Sequence, residues 1–292
     1  MKIALFSQEF SEDVKLIFDK IINNNLSENF SFFLHKDLNI EGFDFSNKSY
    51  FKYSKANDLK DEVDLLISVG GDGTFLRSIE YVRNNNIPIL GINTGRLGFL
   101  ASTKKENIEK SLQKIFKKKF KIEERSLIKV SIEGDKQLDS EFPYALNEIS
   151  VVRKDTTSMV NINTSLNGIH INSYWSDGLI LSTPTGSTGY SLSCGGPVIS
   201  PSSESLVLTP ISPHNLNARP LVISDTTKIS ISVSGREDYH LLSIDSKVYT
   251  VKNETKILVE KSDFNIKVAN LNHYNFYKTL KEKLLWGKDK RN

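Results

Sequence analysis

Three stretches of the 292-residue chain combine residue types that handle phosphates and sugars. In the first, Gly70-Gly71-Asp72-Gly73-Thr74, three glycines surround one carboxylate between an apolar run ending at Val69 and a helical pattern containing Phe75 and Leu76. Glycines let the backbone approach a ligand closely, and a helix start offers unspent N–H groups to phosphate. A carboxylate there needs a positive or protic partner. A substrate hydroxyl or a phosphate-bound magnesium would serve, and either gives Asp72 a part in phosphoryl transfer. The simpler alternative is an aspartate capping a strand-to-helix turn, although two glycines before it exceed what a cap requires. On the ligand reading, valine at Gly71 or Gly73 should block backbone approach or force a disfavoured dihedral.

The second stretch, Asn93-Thr94-Gly95-Arg96-Leu97-Gly98-Phe99-Leu100, also follows a β-rich run. Loops of this kind sit at the carboxyl edge of a parallel sheet, where open α/β folds bind ligands. A plain glycine-bearing turn is the alternative. The third runs from Asp177 to Pro197 and joins a strand to a Pro184–Gly186 turn, to hydroxyls at Ser187, Thr188, Ser191 and Ser193, and to one aromatic, Tyr190. Small hydroxylated positions suit hydrogen bonds to a sugar and an adenine, and Tyr190 can pack against a ring. Its apolar content separates it from a flexible linker.

The elements that must carry these loops change in kind along the chain. Up to about residue 124, short β-rich runs at 2–7, 30–34, 64–69 and 87–92 alternate with helical spacing at 14–22 and 74–83. That order favours a doubly wound, Rossmann-like α/β domain over 1–124. Residues 125–270 carry many short β segments separated by polar turns, as in a β-rich, sandwich-like domain. Residues 271–292 return to helical spacing from Tyr274 to Trp286, and are expected to pack back on the first domain. Lys117-Lys118-Lys119 reads as the solvated end of a helix.

Composition narrows the partners. With 38 basic and 35 acidic residues the net charge is +3, which argues for neither nucleic acid nor an acidic membrane surface. A single cysteine, Cys194, forbids an intramolecular disulfide and suits a reducing cytosol. His35, His170, His214, His240 and His273 lack metal-ligand spacing, so no protein metal site is expected. No apolar run approaches the roughly 18 residues of a membrane span, and the protein is expected to be cytoplasmic.

Taken together, the loops at 70–74 and 93–100, Asn147-Glu148, the 177–197 segment, and Pro213-His214 followed by Ala218-Arg219-Pro220-Leu221 resemble the NAD kinase family. Diacylglycerol and sphingosine kinases share a loop like the first, but a lipid acceptor would want an apolar pocket where 182–193 is small and hydroxylated. A dinucleotide sensor without catalysis is a third reading, against which the intact Asp72 loop speaks. The resemblance implies ATP-dependent phosphorylation of NAD at the 2′-hydroxyl of its adenosine ribose, with polyphosphate as the other possible donor. It makes Asp72 the proton acceptor, and magnesium the cofactor, held through the ATP phosphates. The implied substrate-binding set is Gly73, Arg77, Asn147, Glu148, Ser158, Asp177, Thr185, Thr188, Gly189, Tyr190, Ser191, Leu192 and Ser193. Within it Asn147 and Glu148 hold the adenosine and Asp177 the nicotinamide end, often across a subunit interface, which implies a homodimer or homotetramer. Two departures stand out: Gly189 where alanine is frequent, and Asp245-Ser246-Lys247 where Asp-Gly-Gln is common. The second weakens transfer of a substrate contact to the C-terminal β region.

Overall fold

The computed structural model describes residues 1–38, 42–45, 48–96, 98–134, 142–155, 158–271 and 275–285. Leu97, His273, Tyr274 and Trp286, used in the reading above, lie outside the described residues. The chain forms two compact units, Met1–Glu124 with Ile266–Asn292, and Arg125–Asn265.

In the first unit the elements are β1 (Lys2–Phe6), α1 (Glu12–Ile22), β2 (Ser31–His35), β3 (Ser49–Tyr53), β4 (Leu65–Val69), α2 (Asp72–Val82), β5 (Ile89–Asn93), β6 (Thr103–Lys104) and α3 (Ile108–Phe116). The strands pair in parallel in the order β3-β2-β1-β4-β5, with the short β6 on β5. The chain thus starts mid-sheet, moves out through β2 and β3, and resumes on the other side of β1. Every residue of β4 and β5 is buried, as expected where both faces of a parallel sheet are covered. Ile3, Leu5, Leu65, Ile67 and Val69 pack with Val14, Ile17 and Phe18 of α1 and Leu112 and Ile115 of α3. Side chains alternate across a strand, so Ala4 and Leu66 turn to the other face. There α2 buries Phe75, Ile79 and Val82, which are outside that cluster. Helices on both faces make this the doubly wound layer expected from the alternation.

The second unit contains most of β7 (Phe120–Ile132), then β8 (Tyr144–Ala145), β9 (Glu148–Arg153), β10 (Val160–Leu166), β11 (Ile169–Ser176), β12 (Gly178–Ser182), β13 (Ser205–Ile211), β14 (Leu221–Ser224), β15 (Ile229–Ser234), β16 (Tyr239–Ile244), β17 (Lys247–Lys252) and the start of β18 (Ile257–Leu271). One antiparallel sheet has the order β14-β13-β12-β9-β16-β17. In the other, β11, β10, β15 and residues 257–259 of β18 pair in turn. Ile149, Val151, Leu179, Leu181 and Leu242 from the first sheet meet Ile162, Ile229, Ile231, Val233 and Ile257 from the second in one core. That arrangement is a β-sandwich.

The return to the first unit comes at 265/266, inside β18, rather than at 270/271. Beyond that point Val268 pairs in parallel with Ile89, while Ala269 and Leu271 join the first core. A terminal helix, Phe276–Lys283, follows; Asn275 caps it by accepting N–H bonds from Tyr277 at 2.9 Å and Lys278 at 3.3 Å. Its Phe276 ring lies 6.0 Å from that of Phe99, and Lys283 Nζ sits 4.7 Å from the Phe99 ring centroid.

Candidate active site

The first unit carries the glycine-rich loop at the carboxyl end of β4, next to the point where strand order reverses between β1 and β4, the place where open sheets bind ligands. Gly70 has φ +151°, and a Cβ there would lie 2.4 Å from Thr74 Oγ1, so only glycine fits. Gly71 and Gly73 differ. A Cβ at either meets nothing within 4 Å, and Gly71 has an ordinary φ of −91°. The dihedral demand expected at 71 and 73 therefore falls on Gly70, whereas 71 and 73 border open space. The first bond of α2 runs from Phe75 N–H to Gly71 C=O at 3.1 Å; the N–H groups before it have no partner within the helix.

Asp72 opens α2 but does not cap it, since the N-cap is Gly71 without a side-chain bond. Its carboxylate reaches the 93–101 loop instead. Oδ2 accepts from Phe99 N–H at 2.8 Å, and Oδ1 accepts from Leu100 N–H at 3.1 Å and Ala101 N–H at 2.9 Å. A carboxylate offers about four acceptor positions, so three bonds leave one, on Oδ2. The approach requires Gly98, where a Cβ would lie 1.9 Å from Asp72 Oδ1. Gly91 on β5 is likewise needed, because a Cβ there would lie 2.6 Å from Ala101 Cα. Asn93 shapes the start of the loop by accepting from Gly95 N–H at 2.7 Å. Asp72 is half-buried, and Gly73 and Arg77 are exposed.

In the second unit Asn147 and Glu148 stand at the start of β9. The two-residue hairpin between β16 and β17 puts Asp245, at φ +47°, against them. Asp245 Oδ2 accepts from Leu146 N–H at 2.8 Å, and Oδ1 accepts from Asn147 and Glu148 N–H, both at 3.0 Å. In return Asp245 N–H donates to Glu148 C=O at 3.0 Å. From the 177–197 segment, Thr183 N–H donates to Asn147 C=O at 2.9 Å, and a Cβ on Gly186 would lie 2.2 Å from that oxygen. Glu148 Oε2 is buried without a hydrogen-bond partner among the described residues. Burial first, then the negative charge of Asp245, lift Glu148 to about 7, opposed by a bond from Tyr190 N–H. Burial also lifts Asp245 to about 6 against the pull of its three N–H bonds.

The structure therefore gathers Asn147, Glu148, Thr185, Thr188, Gly189 and Tyr190. Thr188 Oγ1 donates to Thr185 C=O at 3.4 Å, and a Cβ on Gly189 would lie 3.1 Å from Glu148 Oε2. Tyr190 is 43% exposed, leaving its ring free to stack. Ser191 turns inward. Its buried hydroxyl lies 2.8 Å from Thr209 Oγ1, where it secures the turn rather than lining a pocket. Leu192 is half-buried and Ser193 exposed. Asp177 forms an ion pair with Arg153 Nε at 3.2 Å, a partner absent from the sequence reading. Ser158 is half-buried in the β9–β10 connection and shares no hydrogen bond with this group among the described residues. Among the described residues no three His, Cys, Asp or Glu side chains converge as a metal cage, and no helix is long and apolar enough to cross a membrane.

Comparison with known proteins matches residues 12–120 to the ATP-NAD kinase N-terminal domain and 146–271 to the ATP-NAD kinase C-terminal domain. An NAD kinase of Flavobacterium psychrophilum is 50% identical over 300 aligned positions, covering all of both chains. One of Flavobacterium johnsoniae is 47% identical over the same extent. Among solved structures, a yeast NADH kinase complexed with NADH covers 99% of this chain and 88% of its own at a TM-score of 0.84 and 20% identity, a likeness of fold. An NAD kinase from Archaeoglobus fulgidus in complex with ATP covers 98% of this chain and 99% of its own at a TM-score of 0.73 and 26% identity.

Two measurements test this geometry. Gly98→Ala should cost about 1–3 kcal/mol through the clash with Asp72 and speed amide exchange at Leu100 and Ala101, whereas Gly71→Ala should cost under about 1 kcal/mol. Equal stability and equal exchange in the two variants would remove the Asp72 clasp. Glu148 is held above its ordinary 4.5, so the protonated form favours folding below that pH, and the benefit is lost as pH rises through about 7. Glu148→Gln should melt with wild type near pH 5 and above it near pH 8. A gap that stays constant across that series would show that Glu148 is not held protonated by its surroundings.

Proposed function

The chain belongs to the NAD kinase family and uses ATP to phosphorylate NAD, and on that premise we propose that Asp72 is the proton acceptor for the 2′-hydroxyl of the adenosine ribose. As the proton passes to Asp72, the ribose oxygen bonds to the γ-phosphorus of ATP while the bond to the bridging oxygen breaks, giving NADP and ADP. One observation carries this assignment: a carboxylate oriented by three backbone N–H groups that keeps an open acceptor position on Oδ2. Phosphoryl transfer is largely dissociative and rewards positioning over basicity. An oriented aspartate is sufficient.

Asn147 and Glu148 hold the adenosine in this reading. Glu148 Oε2, buried and unpartnered, is suited to accept from a ribose hydroxyl, while Tyr190 gives an aromatic face to a ring. Arg77 and the free N–H groups of α2 suit phosphate. Magnesium fits as an ion carried by ATP, because this ion is commonly held through substrate phosphates and water. Bound there, it would neutralise charge on the transferring group. The enzyme works in the cytosol, which its lone cysteine suits.

The working form is a homo-oligomer. In support, edge strands β11 and β14 expose Ile169 at 66%, Trp175 at 48% and Val222 at 50%, and such edges call for cover. Asp177 then serves the nicotinamide half of a dinucleotide held mainly by the neighbouring subunit.

Asp72→Asn should lower kcat at least about a hundredfold while the KM for NAD changes less than about threefold. Amide exchange at 99–101 must be followed in parallel, since the same side chain holds that loop. Near-normal turnover would remove Asp72 from the proton transfer. For the shared site, mixing Asp72→Asn with Asp177→Ala chains should regain activity that neither has alone; a fully active monomer at nanomolar concentration would rule it out.

A further inference from the structure

Asp245 lies outside every residue assigned above to substrate, yet its carboxylate is committed to the turn that presents Asn147 and Glu148. We infer that Asp245 is a positioning residue for NAD, acting through those two residues by fixing their backbone and by placing a negative charge beside the Glu148 carboxylate. This rests on the adenosine role proposed for Asn147 and Glu148.

The bonding closes the turn in both directions. Three consecutive N–H groups, of Leu146, Asn147 and Glu148, end on one carboxylate, and Asp245 N–H returns a bond to Glu148 C=O. On the other side, the C=O groups of Leu146 and Asn147 accept from Thr183, through its Oγ1 at 2.5 Å and its N–H at 2.9 Å. The backbone of 146–148 is thus spoken for, and only the side chains remain to meet a ligand. Removing the carboxylate would strand three donors.

Holding a turn calls for an acceptor but not for a charge. A second carboxylate beside a buried glutamate disfavours ionisation of both, which a purely structural clasp would avoid. Among the described residues, the groups that act on Glu148 are Asp245 from the β16–β17 hairpin and Tyr190, through its N–H, from the 186–193 segment. Asp245 is the charged one. With burial as the larger cause, it raises the pH at which Glu148 becomes the stronger, ionised acceptor for a ribose hydroxyl, so NAD affinity should rise as pH passes about 7.

The test is steady-state kinetics of the full chain with NAD varied between about pH 5.5 and 8.5, with NAD affinity by calorimetry beside it. Asparagine at 245 keeps one oxygen for two of the N–H groups, turns an NH₂ toward the third and removes the charge. Asp245→Asn should raise the KM for NAD about tenfold with kcat within about threefold, and move the inflection in NAD affinity to the acid side. Should that variant not fold, Asp245→Ser leaves room for a water to accept the N–H bonds and carries the same expectation. A variant with lowered Tm but wild-type KM and an inflection still near 7 would overturn the inference, leaving a structural clasp only. If the wild-type chain makes no NADP, the proposed reaction fails instead, and the calorimetric pH profile still decides the role of Asp245.

Discussion

One device recurs in this chain, in both of its units: a single aspartate gathers three consecutive backbone N–H groups. Asp72 does so with 99–101 and Asp245 with 146–148. Backbone donors are obligatory in their need for partners, and a charged acceptor binds them more strongly than a neutral one. Each aspartate thereby gives a loop a shape that neither helix nor sheet would impose. In the first unit the organising carboxylate is the one proposed above as the proton acceptor. In the second it stands behind Asn147 and Glu148, the residues proposed above to hold the adenosine.

Such close approach has a steric condition, and glycines meet it. Gly98 lets the loop close on Asp72, and Gly186 lets the 183–186 turn seat on Asn147 C=O. Hydroxyls then fill the interior where hydrophobic packing would otherwise stand: Thr183 on Leu146, Ser187 on Ile199, Ser191 on Thr209. The run of small hydroxylated residues between 182 and 193 therefore divides its work. Thr183, Ser187 and Ser191 hold the loop in place, while Ser193 stays exposed.

That division explains what the sequence could and could not reveal. Glycine and hydroxyl spacing marks both loops, and the buried runs of β4 and β5 mark the sheet beneath them, because these signals are local. The partners of the two carboxylates are not local. Asp72 reaches 27 to 29 residues along the chain and Asp245 reaches 97 to 99, distances over which no periodicity carries information. Ser246-Lys247, standing where Gly-Gln is common, gives no hint of the bonds that Asp245 makes, and nothing near Asp177 in the sequence marks Arg153 as its partner. The strand β3 is unmarked for a different reason: four of its five residues are exposed, so no buried face patterns it.

The last strand has a consequence for the order in which the molecule can be made. Val268 pairs with Ile89 on β5, and Ala269 and Leu271 complete the core of the first unit. On the ribosome, the sheet that carries the Asp72 loop must wait with one flank open while all of Arg125–Asn265 is synthesised, a delay of roughly 7–30 s at typical elongation rates. The second unit, being continuous in sequence, needs nothing made after it. The sandwich can thus form first, while the layer beneath the Asp72 loop is closed only once Val268, Ala269 and Leu271 have been made.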